Sequence, residues 1–376
     1  MRIAIIQSEY RGGSLSGENQ MVKYSANILN SYGYKVKIIK VSSAQSEQIN
    51  SYKLKTALNV SLGKGTDISG ELDDFRPDLI LSHNTFPNIG FAWMKNRTEP
   101  IITFLHNYRY FCASATLNRN QKDCDLCPTK NPIFSLVYKC YKESFFATLP
   151  LYLRQITPNS YKHELSIPTK FIALSERSRD RFLSLGIPKE KISIITNFIP
   201  RYESEPMLHR ELSFKWIYAG RITREKGIGE LLRELPNGIE IDIYGDGPDR
   251  QILEKEFANN SIRFFGSIPS EALSELLPSY LGAFFPSLWS EGLPVIFLEY
   301  LRAGLPVITT KENSVGDFVT FYGNGFVLEE LRKQTLELAV THVMKSRDNL
   351  SLKSKNCYEM EFSPEIWIRR FEMTCL

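Results

Sequence analysis

A chain of 376 residues is long for one domain and suits two of roughly 180 each. With 43% apolar and 23% charged residues it has the composition of a globular protein with ample core, which excludes a disordered or fibrous chain. A formal net charge of +4 is too small at this length to point to nucleic acid as a partner. It suits a mildly basic patch facing phosphate, a sugar nucleotide or an anionic membrane.

The N-terminal run Met1-Arg2-Ile3-Ala4-Ile5-Ile6-Gln7 is short and soon meets polar and glycine residues, so it reads as a first strand and not as a secretory segment. Further strands are predicted at Lys35–Val41, Asp78–Ser82, Ile101–His106, Lys170–Leu174 and Lys191–Thr196. Between the first two, Glu18–Ser31 carries Met21, Val22, Ala26, Ile28 and Leu29 at helical spacing. The alternation restarts with strands at Phe214–Ala219, Ile239–Tyr244, Ile262–Phe265, Gly282–Pro286 and Pro306–Thr309. Continuous apolar strands alternating with helices argue for parallel sheets covered on both faces. The polar stretch between the two series carries Pro200 and Pro206 and has no clear period. The expected layout is an N-terminal domain over 1–198, a linker over 199–212, a C-terminal domain over 213–362 and a terminal helix over 363–376. Ser363 is expected to cap that helix and Pro364 to occupy its first position.

No stretch approaches the roughly 18 apolar residues needed to span a bilayer. The best, Phe145 to Leu153, is broken by Pro150. Six cysteines in a large chain without a leader are expected to be reduced thiols, and the expected address is the cytoplasm or the inner face of a membrane.

Open parallel sheets bind ligands at the carboxyl ends of their strands. After the first strand, the loop with Gly12 and Gly13 lets the backbone approach a ligand, though its spacing is not that of a dinucleotide fingerprint. The first strand of the second domain ends in Ala219-Gly220-Arg221, with Lys226 five residues beyond Arg221. Two cations in one such loop can converge on one diphosphate. Gly245 marks another tight turn at the same sheet edge. In Ser287-Leu288-Trp289-Ser290-Glu291-Gly292-Leu293-Pro294-Val295-Ile296-Phe297-Leu298-Glu299, Pro294 suits a first helical position and Gly304 the helix end. The amides of Gly292, Leu293 and Val295 then stand at the positive helix end, suited to phosphate. Glu291 and Glu299 flank that site, either accepting bonds from sugar hydroxyls or acting as an acid–base pair.

These motifs resemble the retaining glycosyltransferases of family 4, which have the two-domain GT-B fold of two Rossmann-like domains facing a cleft. The matching residues are Ala219-Gly220-Arg221, Glu225-Lys226-Gly227, Gly245-Asp246-Gly247-Pro248, Phe265-Gly266-Ser267, Glu291 and Glu299, and Ala303-Gly304-Leu305-Pro306-Val307. In the first domain Gly12-Gly13, Leu105-His106-Asn107 and Ile195-Thr196-Asn197-Phe198 extend the likeness. The resemblance implies that Arg221 and Lys226 neutralise the donor diphosphate, that Glu299 binds its ribose and that Glu291 contacts the transferred sugar. It implies that Gly13 touches the phosphates, that the backbone of Ser267 and Ile268 holds the base, and that His106 lies beside the reacting sugar. The donor would be a UDP- or GDP-type sugar and the product would keep its anomeric configuration. No Asp-x-Asp is read anywhere in the chain, so neither an obligatory metal nor another cofactor is expected.

Cys112, Cys124, Cys127 and Cys140 resemble a pattern in the subset of that family that builds bacterial surface polysaccharides, whose acceptor would be a lipid-linked glycan. The four thiols make either a structural zinc site or a group of buried reduced thiols; the spacing is not that of a standard finger, and the second reading is preferred. The aromatic and basic stretch from Phe134 to Tyr161 lies either against the membrane or on its own sheet, with the latter slightly favoured. A non-catalytic sugar-nucleotide-binding partner, or a GT-B epimerase, is the competing function.

Overall fold

The computed structural model describes residues 1–9, 17–42, 52–120, 122–157, 164–202 and 213–376. It divides into two compact units. The first comprises Met1–Arg119, Asp123–Thr196 and Ile368–Leu376, and the second Asn120–Lys122 and Asn197–Trp367. Most of the expected linker, 203–212, lies outside the described residues.

The first unit is built on β1 (Arg2–Glu9), β2 (Lys35–Ser42), β3 (Leu79–Ser82) and β4 (Ile101–Phe104). A short hairpin follows, β5 (Asn118–Arg119) with β6 (Lys122–Asp123), and then β7 (Lys170–Ala173) and β8 (Ile192–Ile194). The six long strands pair in parallel in the order β2-β1-β3-β4-β7-β8. All four residues of β3 and of β4 are buried, as a sheet covered by helices on both faces requires. The helix Gly17–Ser31 buries Met21, Val22, Ala26 and Leu29. Ala4, Ile6, Leu72, Ile80 and Phe91 share the core.

In the second unit β9 (Trp216–Ala219), β10 (Ile241–Tyr244), β11 (Ile262–Gly266), β12 (Gly282–Phe285), β13 (Val307–Thr310) and β14 (Gly325–Leu328) form a parallel sheet in the order β11-β10-β9-β12-β13-β14. Trp216, Ile228, Leu231, Phe284 and Val343 anchor its core. The sequence reading expected five strands here, and β14 is a sixth. It is an edge strand, only part-buried, and is held by its pairing of Val307 with Gly325.

The terminal helix runs Pro364–Cys375. Pro364 opens it, and the Ser363 hydroxyl just before it donates to the Glu359 carbonyl at 3.0 Å. Residues 368–376 belong to the first unit, where the Lys170 ammonium donates to the Thr374 carbonyl at 2.5 Å and Tyr34 to Glu372 at 2.8 Å. Among the described residues no helix is long and apolar enough to cross a membrane.

Candidate active site

Each sheet has a point where the strand order reverses, and loops diverge there to leave a crevice at the carboxyl ends. In the second unit that point lies between β9 and β12. Lys226 follows β9 and Glu291 follows β12, and the two meet across it with Nζ 2.6 Å from Oε2. Both side chains are largely buried, at 16% and 6% exposure. Ser287 donates to the other Glu291 oxygen, and the Lys226 ammonium stands 6.0 Å from the Trp289 ring centre. Arg221 differs from Lys226: its side chain is 70% exposed, and its nearest carboxylate, Glu225, is 3.9 Å away. It stands on the same loop.

Glycine shapes the strand ends beside this pair. A Cβ on Gly245, at φ +130, would fall 1.9 Å from the Gly220 carbonyl oxygen. One on Gly227 would fall 2.0 Å from that of Pro286. Backbone amides of Gly220 and Gly245 bond to Tyr244 and Gly266 across adjacent strand ends, so three glycines border β9, β10 and β11. Beyond them Ser267 is exposed and Ile268 half-buried.

The helix after β12 runs Val295–Arg302. Pro294 is its N-cap and not its first residue, a shift of one position from the sequence expectation. Its end is a Schellman motif: Gly304 (φ +72) donates to Leu301 and Leu305 to Tyr300. The Ser314 hydroxyl donates to the Gly292 carbonyl, and the Asn197 amide to the Leu293 carbonyl at 2.6 Å. In a trans peptide the carbonyl and the next N–H point in opposite directions, so fixing the Gly292 carbonyl also fixes the Leu293 N–H. Glu299, in the second turn, is 5% exposed and accepts a bond from the Ser270 hydroxyl at 2.7 Å. Burial holds its carboxyl above the ordinary range.

Four supporting residues were not singled out in the sequence. Asn313 donates to the Ser287 carbonyl at 3.0 Å and caps the helix Ser314–Tyr322, and Tyr300 accepts from the Ala219 amide at 2.8 Å. Ser270 and Ser287 hold the two glutamates. A capping Asn before Ser-x-Gly is visible in sequence; the long-range partners of the others are not.

In the first unit the strand order reverses between β1 and β3. The loop with Gly12 and Gly13 lies outside the described residues. A pocket is lined by Glu18, His83, Phe104, His106, Arg109 and Tyr110, among others. His106 Nε2 is 2.8 Å from His83 Nδ1. Burial lowers the His106 pKa to about 4; His83 is pushed well below its ordinary value by burial and by repulsion from His106. Both rings are therefore neutral near pH 7. Glu18, by contrast, is raised by burial to about 7, with a bond from Gln7 opposing the shift.

Cys112, Cys124, Cys127 and Cys140 are free thiols, each partly exposed. Burial, then the neighbouring thiols, pushes Cys127 up to about 12 and Cys140 to about 11. Among the described residues no group of His, Cys, Asp or Glu is arranged to hold a metal ion. The expectation of no Asp-x-Asp in the chain is wrong: Asp123-Cys124-Asp125 is one, though it stands in this segment and not in the loops that follow β9, β10 or β12. Of the stretch 134–161, residues 158–161 lie outside the described residues. The helix Phe145–Ile156 buries Thr148, Leu151 and Arg154, while Phe146 is 82% exposed.

Residues 203–359 match the family model for glycosyl transferases group 1. The sulfoquinovosyl transferase SQD2 of Arabidopsis thaliana is 31% identical over 131 residues, covering 33% of this chain and 25% of that protein. The amylovoran biosynthesis glycosyltransferase AmsK of Erwinia amylovora is 22% identical over 231 residues, 56% of this chain and 55% of AmsK. The chain thus spans about a quarter to a half of the length of these curated relatives. The crystal structure of Anabaena HepE in complex with UDP-glucose covers 99% of both chains at 14% identity, with a TM-score of 0.61. With the two doubly wound units, this likeness makes the fold GT-B.

Proposed function

We propose that this GT-B chain is a glycosyltransferase that moves a hexose-type sugar from a nucleotide-diphosphate donor onto a glycan acceptor in bacterial polysaccharide biosynthesis. The observation that carries this reading is the Lys226–Glu291 pair at the switch point of the second sheet, beside a glycine-lined strand edge and a fixed helix N-terminus. The match of residues 203–359 to glycosyl transferases group 1 supports it, as do polysaccharide-building relatives such as AmsK. The UDP-glucose complex of HepE favours a nucleotide sugar, of UDP or GDP type, as donor.

The chemistry follows from the charges. Breaking the sugar–phosphate bond leaves the electron pair on the diphosphate and positive charge on the ring. A cation and an anion fixed 2.6 Å apart match that separation, the ammonium toward the leaving group and the carboxylate toward the sugar and its hydroxyls. Arg221, exposed and extended, adds forked recognition of the diphosphate. The Leu293 amide at the start of Val295–Arg302 adds a helix dipole. Glu299 takes the ribose hydroxyls, with Gly220 and Gly245 letting the nucleotide approach and the backbone of Ser267 and Ile268 against the base. Gly12 and Gly13 are assigned to the phosphates, and His106 to the sugar. These groups stabilise the leaving diphosphate without a metal ion. For retention, the acceptor attacks from the face the diphosphate leaves, and its hydroxyl proton passes to the departing phosphate oxygen.

The acceptor proposed is lipid-linked, reached by peripheral contact with the inner face of the membrane. Support comes from the helix Tyr52–Leu62, which buries Val60 and exposes Leu54, Leu58 and Leu62 along one side. It packs against Phe145–Ile156, whose Phe145 and Phe146 are also exposed; Lys53 and Lys55 stand in the first of these helices, and Lys139 and Lys142 precede the second. Incubation of the purified protein with labelled UDP- and GDP-sugars, with and without membrane lipid extract, tests the function. Transfer into the lipid phase supports it, and a protein that neither binds nor consumes any nucleotide sugar overturns it.

A further inference from the structure

The pocket of the first unit holds two buried polar atoms that lack a hydrogen-bond partner among the described residues, His83 Nε2 and one oxygen of Glu18. His83 is 5% exposed and stands just past β3, while Glu18 opens the helix that leads away from β1. These are the two strands between which the sheet order reverses, where an open α/β sheet offers a ligand crevice. The His83 ring is fixed by stacking on Phe104, with centroids 4.6 Å apart and planes 4° apart.

The 2.8 Å contact between His83 Nδ1 and His106 Nε2 joins two neutral imidazoles, so one proton lies between them. If His83 donates, its own Nε2 is a bare acceptor and His106 carries its proton on Nδ1. If His106 donates, His83 Nε2 carries a proton and His106 Nδ1 is bare. The two outer ends of the pair therefore always have opposite character, one donor and one acceptor. A ligand hydroxyl, which both donates and accepts, fits either state; a buried carboxyl oxygen and an imidazole nitrogen without partners are costly until such a group arrives.

We propose that this pocket is a hydroxyl-binding subsite for a neutral sugar of the acceptor, in which Glu18 and His83 hold one hydroxyl and His83 also acts as a positioning residue that ties the ring tautomer of His106 to its own. The acceptor assignment rests on the glycosyltransferase reading; the hydroxyl site and the tautomer lock stand apart from it. The test uses the full chain and two readouts that need no turnover. Ring ¹⁵N shifts report the His106 tautomer, and saturation-transfer difference spectra with methyl hexosides report occupancy of the pocket.

In the wild type the His83 and His106 rings are expected to carry their protons on the same-named nitrogen, both on Nδ1 or both on Nε2. His83→Phe, which keeps the stacking on Phe104, is expected to give a mixture, and His83→Asn, which restores a polar atom near the Nδ1 position, to recover one tautomer. Glu18→Gln is expected to leave the His106 tautomer unchanged. Methyl hexoside signals are expected to fall at least fivefold in His83→Phe and His83→Asn, and to weaken in Glu18→Gln. A His106 tautomer unchanged by His83→Phe, or hexoside signals equal in wild type and the folded variants, overturns the proposal. A wild-type protein that binds methyl hexosides but consumes no nucleotide sugar removes the glycosyltransferase reading and leaves the subsite standing.

Discussion

Replacing Lys226 by Met separates what the ion pair does for stability from what it does for catalysis. Glu291 is 6% exposed on its side chain, so losing its cation strands a buried carboxylate. Breaking a fully buried pair costs about 3–5 kcal/mol, and discounting for the 16% exposure of Lys226 leaves about 2–3 kcal/mol. For units of this size that is a fall in melting temperature of roughly 5–10 °C. Glu291→Gln should cost less, since a neutral amide can still accept from Ser287 and Lys226 can turn toward water. In the double variant, Lys226→Met with Glu291→Gln, no charge is left unpaired, and most of the lost stability should return. Transfer should not return: loss of one aligned charge costs about a hundredfold or more in turnover. Calorimetry beside a radiolabelled transfer assay reads both. A double variant that regained transfer with its melting temperature would show the pair to be structural only, and a single Lys226→Met variant of wild-type stability would refute the burial argument.

Three other outcomes follow from the same geometry. Gly245→Ala puts a Cβ 1.9 Å from the Gly220 carbonyl at a positive φ, so it should weaken binding of UDP or GDP in titration calorimetry by tenfold or more, with the first unit unaffected. Glu18, whose folded pKa of about 7 lies above its ordinary 4.5, favours the protonated state in the fold, so its contribution to stability is complete below about 4.5 and is lost as pH rises to about 7. His83, His106, Arg109 and Arg154 share its pocket, and Glu18→Gln should flatten that fall, by about 2–3 kcal/mol between pH 4.5 and 8 in denaturant titrations. Leu58→Asp with Phe146→Asp should reduce sedimentation with phosphatidylglycerol vesicles severalfold without lowering the melting temperature, since both side chains are exposed; equal sedimentation would locate membrane contact elsewhere or remove it.

The parallel sheets were legible because their inner strands are short runs of apolar and β-branched residues, such as Leu79–Ser82 and Val307–Thr310, buried on both faces. β14 was not, since Gly325–Leu328 is short, begins with glycine and is held by one neighbour: a Cβ on Gly325 would fall 2.0 Å from the Val307 carbonyl oxygen. On the donor side, local motif spacing picks out Lys226, Glu291 and Glu299. It does not show that Lys226 and Glu291 neutralise each other, because 65 residues separate them and only the β9–β12 neighbourhood brings them together. His83 carried the same sign as His106, an imidazole just beyond a buried strand, and a reading strand by strand would have paired them. The Glu18 carboxyl gave none, since its raised pKa is a property of the folded pocket.

The central claim is that the second unit stabilises a departing nucleoside diphosphate, and single-turnover transfer tests it most directly. Wild-type protein in excess over labelled UDP- or GDP-sugar, with lipid extract as acceptor, should release nucleoside diphosphate and label the lipid phase together. Arg221→Ala with Lys226→Met should bind the donor more weakly and abolish the release. Release at the wild-type rate by that double variant would contradict the account.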